Sequence, residues 1–317
     1  MKNITIFDTS ISTRNVGDEI IMQSVNNVVT EIFNDSQIFH IPTHNYLTLD
    51  SLKCLRESHH SIVGGTNLLS SNMPFYQQWK VLPHDLLFLR SNILLGVGWW
   101  QYQQKPNLYT KLMLKKLLAK GIHSVRDSFT QEMLANIGIE NVINTSCPTM
   151  WGLSPDHCKK IPKQKSKSVI YTLTDYNKNA TKDKDALQLL RNEYENVYLW
   201  LQGSKDYKYL VEENLGQYVD EIIPPQLSSF DNFLERGDIE YIGTRLHAGI
   251  RALQKGCRSL ILAVDNRAKE KKKDYSIHVV EREDLTEISN NIHNSRETLL
   301  NIDFNKINDW KAQFNQT

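Results

Sequence analysis

No uninterrupted apolar run in this sequence approaches the roughly 20 residues that a bilayer-spanning helix needs. The opening MKNITIFDTS turns polar after one short apolar run and lacks the pattern of a secretory signal. Cysteine is scarce and scattered: Cys54, Cys147, Cys158 and Cys257 form no C-x-x-C pair. That suits neither a disulfide framework nor a zinc site, and it points to a reducing compartment. The histidines show no ligand spacing either, so neither a metal nor a resident cofactor is expected. A formal net charge of +1 excludes nucleic-acid binding by bulk electrostatics, a local basic patch aside. These absences lead to the expectation of a cytoplasmic chain, with peripheral membrane association left open.

What is present is alternation. At 317 residues the chain exceeds what one core usually organises, which argues for two domains of about 150 residues each. NITIFDT, SQIFHI, HHSIV, SNILLG, IHSV and NVIN read as strands of a first domain, residues 1–158. A helix from about Asp18 places Ile21, Val25, Val28, Val29 and Ile32 on one face. RDSFTQEMLANIG reads as a helix capped by Asp127 or Ser128 and stopped by Gly138. The polar KKIPKQKSK is the linker into a second domain, residues 159–317, with strands in SVIYTLT, NVYLWLQG, DEIIP, IEYIG and SLILAV. RAKEKKK reads as a solvated loop, and the last helix is free to pack back on the first domain. Strand-then-helix order implies an α/β fold of two Rossmann-like, doubly wound domains facing across a cleft.

Ligands of such sheets bind beyond the carboxyl ends of the strands. Seven stretches fall there: NVGDE (Asn15, Gly17, Asp18), GGTN (Gly64, Gly65, Thr66, Asn67), GVGW (Gly98), VRDS (Arg126), LQG (Gln202), GTRLH (Gly243, Thr244, Arg245, His247) and DNR (Asn266, Arg267). None is a full G-x-G-x-x-G or a Walker A. In GTRLHAGIRALQKG the stripe Leu246, Ile250, Leu253 packs on the sheet, Thr244 suits the N-cap and Gly256 the C-cap. Arg245 and His247 lie off that stripe. A cation in a first turn opposes the helix dipole and is costly unless an anion answers it. Either Arg245 pairs with a nearby carboxylate and His247 bonds a loop, or Arg245 and Arg126 clamp a small polyanion. Asp18 and Glu19 could serve as a base or simply be an acidic first turn. Trp99 and Trp100 could stack on a sugar or pack.

The order N-x-G-D-E, GGTN-L, GVG, VRDSFT, Q-G, GTRLHAGIRAL…G resembles the polysaccharide pyruvyl transferase family, from Asn15 to about Asp265. The resemblance implies a GT-B-like architecture. It further implies transfer of the pyruvyl group of phosphoenolpyruvate onto two hydroxyls of a saccharide, which is a surface polysaccharide or a lipid- or nucleotide-linked precursor. The products are a cyclic ketal and phosphate. It marks Arg126, Arg245 and His247 as catalytic contacts to phosphoenolpyruvate, His247 being the general acid. Two departures concern the acceptor and the phosphate: Cys147, Pro148 and Thr149 stand where many members have Asp-Pro-Ala, and DNRAKE replaces a tyrosine- and lysine-bearing segment. The competing readings are a GT-B-like glycosyltransferase using a nucleotide-activated sugar, with Glu240 or Asp265 offered as its ribose-binding carboxylate or acceptor base, and a non-catalytic glycan- or nucleotide-binding member.

Overall fold

The computed structural model describes residues 2–89 and 92–315; Ser91, which opens the expected strand SNILLG, lies outside them. The chain divides into two compact α/β units. One comprises Met1–Thr13, Ile21–Trp151 and Ile302–Thr317, the other Arg14–Ile20 and Gly152–Asn301.

The first unit holds β1 (Asn3–Asp8), β2 (Gln37–Pro42), β3 (His60–Gly64), β4 (Asn92–Leu95), β5 (His123–Val125) and β6 (Val142–Asn144). β2-β1-β3-β4 form one parallel sheet and β5-β6 a second parallel pair. The Gly96 amide donates to Ser124 O (3.0 Å) and Val97 bridges Val125, so the strand order runs on from β4 to β5. Alternate side chains feed two cores, as a strand covered on both faces requires. Ile4, Ile6, Ile62, Ile93 and Leu95 enter one; Phe7, Val63 and Leu94 enter the other. The last helix, Phe304–Ala312, closes the first of these cores: Trp310 meets Trp151 and Phe314, and Phe314 meets Phe33.

One polar residue in this interior sets a pH dependence. His123 is fully buried; its Nε2–H donates to Leu118 O (3.1 Å), and its Nδ1 accepts from the Leu94 amide (3.3 Å). Burial lowers its pKa from 6.5 to about 4, so the ring is neutral in the folded chain at pH 5. Between these values the unfolded chain binds a proton that the folded chain does not. Stability therefore falls as pH drops from about 6.5 to about 4, by about 3 kcal/mol from this group alone. Urea midpoints taken across that window are expected to show the loss, and His123→Asn is expected to flatten it.

The second unit holds β7 (Ser168–Thr172), β8 (Asn196–Trp200), β9 (Glu221–Ile223), β10 (Ile239–Gly243), β11 (Ser259–Ala263) and β12 (Val279–Glu281). They form one parallel sheet in the order β12-β11-β10-β7-β8-β9. The chain reverses direction across the sheet between β7 and β10. That switch point is where an open α/β sheet leaves a crevice at its carboxyl edge.

Three expectations change. The division falls between Trp151 and Gly152, ahead of the expected 158/159, because His157 Nε2 already bonds Leu253 O (2.7 Å). Residues 14–20 group with the second unit, since Val16 N donates to Gln202 O (3.0 Å) and Ser204 N to Arg14 O (2.9 Å). RAKEKKK is helical, within Asn266–Tyr275: Asp265 caps it, and Lys271 is buried with its ammonium over the Tyr275 ring. No helix among the described residues is long and apolar enough to cross a membrane.

Candidate functional site

The sequence candidates fall into two groups, one in each unit. In the second unit the loops after β7 and β10 meet at the switch point. The hydroxyls of Thr174 and Thr244 lie 2.7 Å apart, and Thr244 Oγ1 also donates to Thr172 O (2.9 Å). Thr244 is thereby used up in the sheet, and the N-cap of helix Leu246–Gln254 is Arg245, which gives no side-chain cap. Tyr241 OH steadies this start by accepting from the Arg245 amide (3.1 Å) and donating to Arg245 O (2.8 Å).

The Arg245 side chain is buried. Its Nε donates to Leu173 O (2.7 Å), and its Nη2 to Asp206 Oδ1 (2.6 Å) and Asp175 Oδ1 (3.0 Å). Nη1 makes no hydrogen bond among the described residues. Burial opposes the charge, but Asp206, Tyr176 and Asp175 outweigh it and hold the guanidinium above its ordinary range. The anion that its placement calls for is thus supplied by the chain itself, so the cost of a cation in a first turn no longer demands a ligand. Asp206 also accepts from the Gln202 (3.1 Å) and Gly203 (2.6 Å) amides, which locks the LQG turn to the arginine. A Cβ on Gly203 would lie 2.5 Å from Nη2, so only glycine lets the guanidinium lie there.

Around this pair sit the other candidates of the unit. Gln202 Nε2 donates to Asn15 Oδ1 (2.7 Å), which also accepts from the Gly17 amide (3.1 Å), and Asn15 bridges Gly203 antiparallel. Arg267 pairs with Asp265 (2.5 Å) and donates to Tyr176 OH, and Arg245 and Arg267 stand 5.2 and 5.4 Å from the Tyr176 ring. Arg267 holds Asp265 down at about 2 although burial works the other way. Buried Asp18 adds its negative charge near Arg267. Asn266 opens the helix that Asp265 caps, and Gly243 ends β10. His247, buried, is the second residue of helix Leu246–Gln254. The first turn of that helix is buried nearly all round, not on one stripe, because Leu246 to Ile250 are all inside.

Glu240 does not belong to this group. It sits at the opposite, amino end of β10, fully buried and paired with Arg258 (3.0 Å). An acid there cannot reach a ligand at the carboxyl edge.

In the first unit GGTN, GVG and VRD converge. Arg126 is buried, its Nε 3.0 Å from Asp127 Oδ2 and its Nη2 donating to Asn67 Oδ1. Asp127 caps helix Ser128–Ala135. The Gly98 amide donates to Thr66 O (2.8 Å), and a Cβ on Gly98 would lie 2.1 Å from Arg126 Nε. Gly65 lies against the Gly96 carbonyl, and Gly64 ends β3. Trp99 is packed inward, its Nε1 bonded to Ser71 and Gln103, while Trp100 stacks on Tyr76 at 4.0 Å.

The residues that sequence reasoning missed are Asp175, Tyr176 and Asp206. The first two follow β7, the one strand end at the switch point left out of the seven stretches, and Asp206 lies three residues past the LQG glycine.

The model of the polysaccharide pyruvyl transferase family matches residues 15–266. No curated protein matches the sequence. Among solved structures, a UDP-GlcNAc 2-epimerase from Methanocaldococcus jannaschii, in complex with UDP-GlcNAc and UDP, is similar over 100% of this chain and 99% of its own (TM-score 0.57, 10% identity). S. aureus MnaA, in a co-structure with UDP, is similar over 100% and 98% (TM-score 0.56, 13% identity). At such identities the likeness is one of fold, α/β with parallel sheets and GT-B-like.

Proposed function

The chain belongs to the polysaccharide pyruvyl transferase family and is a transferase; from that premise we propose that it moves the pyruvyl group of phosphoenolpyruvate onto two hydroxyls of a saccharide. A proton adds to C3 of the enol phosphate, and one hydroxyl oxygen bonds to C2. The C2–O bond to phosphate then breaks as the second hydroxyl closes the ketal. Of the two hydroxyl protons, one balances the new methyl group and the other leaves on phosphate.

The observation that carries this reading is the start of helix Leu246–Gln254. It opens at the switch point with no side-chain cap, beside Arg245 and next to His247. Uncapped first-turn amides are donors for an anion. Asp18, Asp175, Asp206 and Asp265 outnumber Arg245 and Arg267 in this unit, so anion binding here rests on directed donors rather than net charge. Arg245, clamped by Asp206 with Nη1 uncommitted, is such a donor, fixed in advance. Arg126 carries the same role from the sequence resemblance.

The alternative donor is a nucleotide-activated sugar, since the epimerases of like fold are bound to UDP. A thermal-shift panel separates the two. Phosphoenolpyruvate at about 100 times its dissociation constant is expected to stabilise by roughly 2.7 kcal/mol. A shift with UDP and none with phosphoenolpyruvate would replace this reading by the glycosyltransferase one.

A further inference from the structure

The first unit carries a surface that the transfer chemistry does not use. Helix Leu108–Leu117 turns Thr110, Met113, Leu114 and Leu117 into the core. On its outward side Leu108 and Leu112 are 71% and 57% exposed. At about 100° per residue these two leucines fall together at the centre of that side. Lys111 and Lys115 flank them on one edge and Lys116 on the other. None of the three lysines is ion-paired among the described residues.

The helix has an apolar neighbour. The turn holding Phe75, which is 86% exposed, is tied to the helix start by Asn107 Nδ2 donating to Asn72 Oδ1 (2.6 Å) and Met73 N to Thr110 Oγ1 (2.9 Å). The segment that carries this face has exposed charge of one sign. Between Glu57 and Glu132 the only acids are Asp85 and Asp127. Both are buried, Asp85 accepting from Leu82 N and Asp127 held by Arg126. Lys105 and Lys120 extend the basic stretch on either side of the helix, both exposed.

We propose that this face docks the protein on the surface of a bilayer containing anionic lipid. Exposed leucines and a phenylalanine enter the headgroup boundary, and the flanking lysines, whose stems reach past them, meet the lipid phosphates. The lysines are what favour a bilayer over a second copy of the chain, because a self-interface would bring like charges together. The inference does not depend on the donor proposed above.

The test is sedimentation of the full chain with two vesicle preparations, pure phosphatidylcholine and phosphatidylcholine with about one-third phosphatidylglycerol. Wild type is expected to pellet with the anionic vesicles alone, and less so as salt shortens the screening length. Lys115→Ala with Lys116→Ala is expected to weaken partitioning about 25-fold, at about five-fold per lysine near an anionic surface. Phe75→Ser and Leu108→Ser are each expected to weaken it about ten-fold. All four positions are exposed, and unchanged melting temperatures will show that the variants fold. Wild type left in solution with anionic vesicles, equal binding to neutral ones, or variants that bind like wild type would each overturn the proposal. So would a dimer by light scattering that Leu112→Ser dissociates while vesicles leave the wild type unbound, since the face would then be a contact between copies.

Discussion

His247→Ala is expected to lower turnover by about 10²–10⁴-fold while changing phosphoenolpyruvate affinity far less. A general acid acts in the transition state, so its loss appears in turnover rather than in ground-state binding. An imidazole suits the task because it can carry a proton at one nitrogen and pass it on. Burial of His247 at the start of a helix means that alanine also leaves a gap, and melting temperatures must accompany the kinetics. His247→Gln is the sharper variant. It keeps a hydrogen-bond donor of similar reach but cannot pass a proton on. Phosphate release with a saccharide acceptor gives the rate, and solvent deuterium in the pyruvyl methyl group traces protonation at C3. Near-normal turnover by the glutamine variant would remove His247 as the acid and direct attention to Asp18 or Glu19.

Local pattern made much of the fold legible. IEYIG followed by a Leu246, Ile250, Leu253 stripe became β10 and its helix, and Asp127 caps the helix that its position before SFTQEM suggested. Where the reading failed, the missing information was tertiary. Thr244 has the right chemistry for an N-cap, but its hydroxyl is taken by Thr172 at the end of the neighbouring strand and Thr174 just beyond it. RAKEKKK shows charge alone in one dimension, whereas its helix hides Ala268, the stem of Lys271 and Tyr275. Asn15 stands at one end of the sequence and Gln202 in the middle, yet they hydrogen-bond in one unit. The carboxylates facing Arg245 come from beyond the ends of β7, which neighbours β10, and of β8, one strand further out; strand order, not sequence proximity, brings them together. The sequence allowed for such a partner without naming Asp175 or Asp206.

That pairing shapes the expectation for Arg245→Ala. Two losses should appear together. Removing a donor to a charged ligand group costs about 1.5–3 kcal/mol in phosphoenolpyruvate binding. Removing the cation opposite a buried carboxylate costs about 3–5 kcal/mol in stability, because burial already pushes the Asp206 carboxyl above its ordinary range and Arg245 is the partner that offsets that burial. Urea unfolding reads the second loss and titration calorimetry the first. Since the alanine variant combines them, Arg245→Lys and the double variant Arg245→Ala, Asp206→Asn are needed. Lysine leaves a cation near Asp206 but not the planar fork that also offers Nη1, so stability should recover in part while binding stays weak. Asparagine at 206 still accepts from the Gly203 amide and removes the orphaned carboxyl, so the double variant should regain stability without regaining affinity. With the single variant Asp206→Asn added, the double-mutant cycle isolates the pair energy from the ligand energy. Should the double variant recover affinity along with stability, Arg245 would be a brace between β7, β8 and β10, and the ligand-binding role would pass to the uncapped amides of the helix it begins.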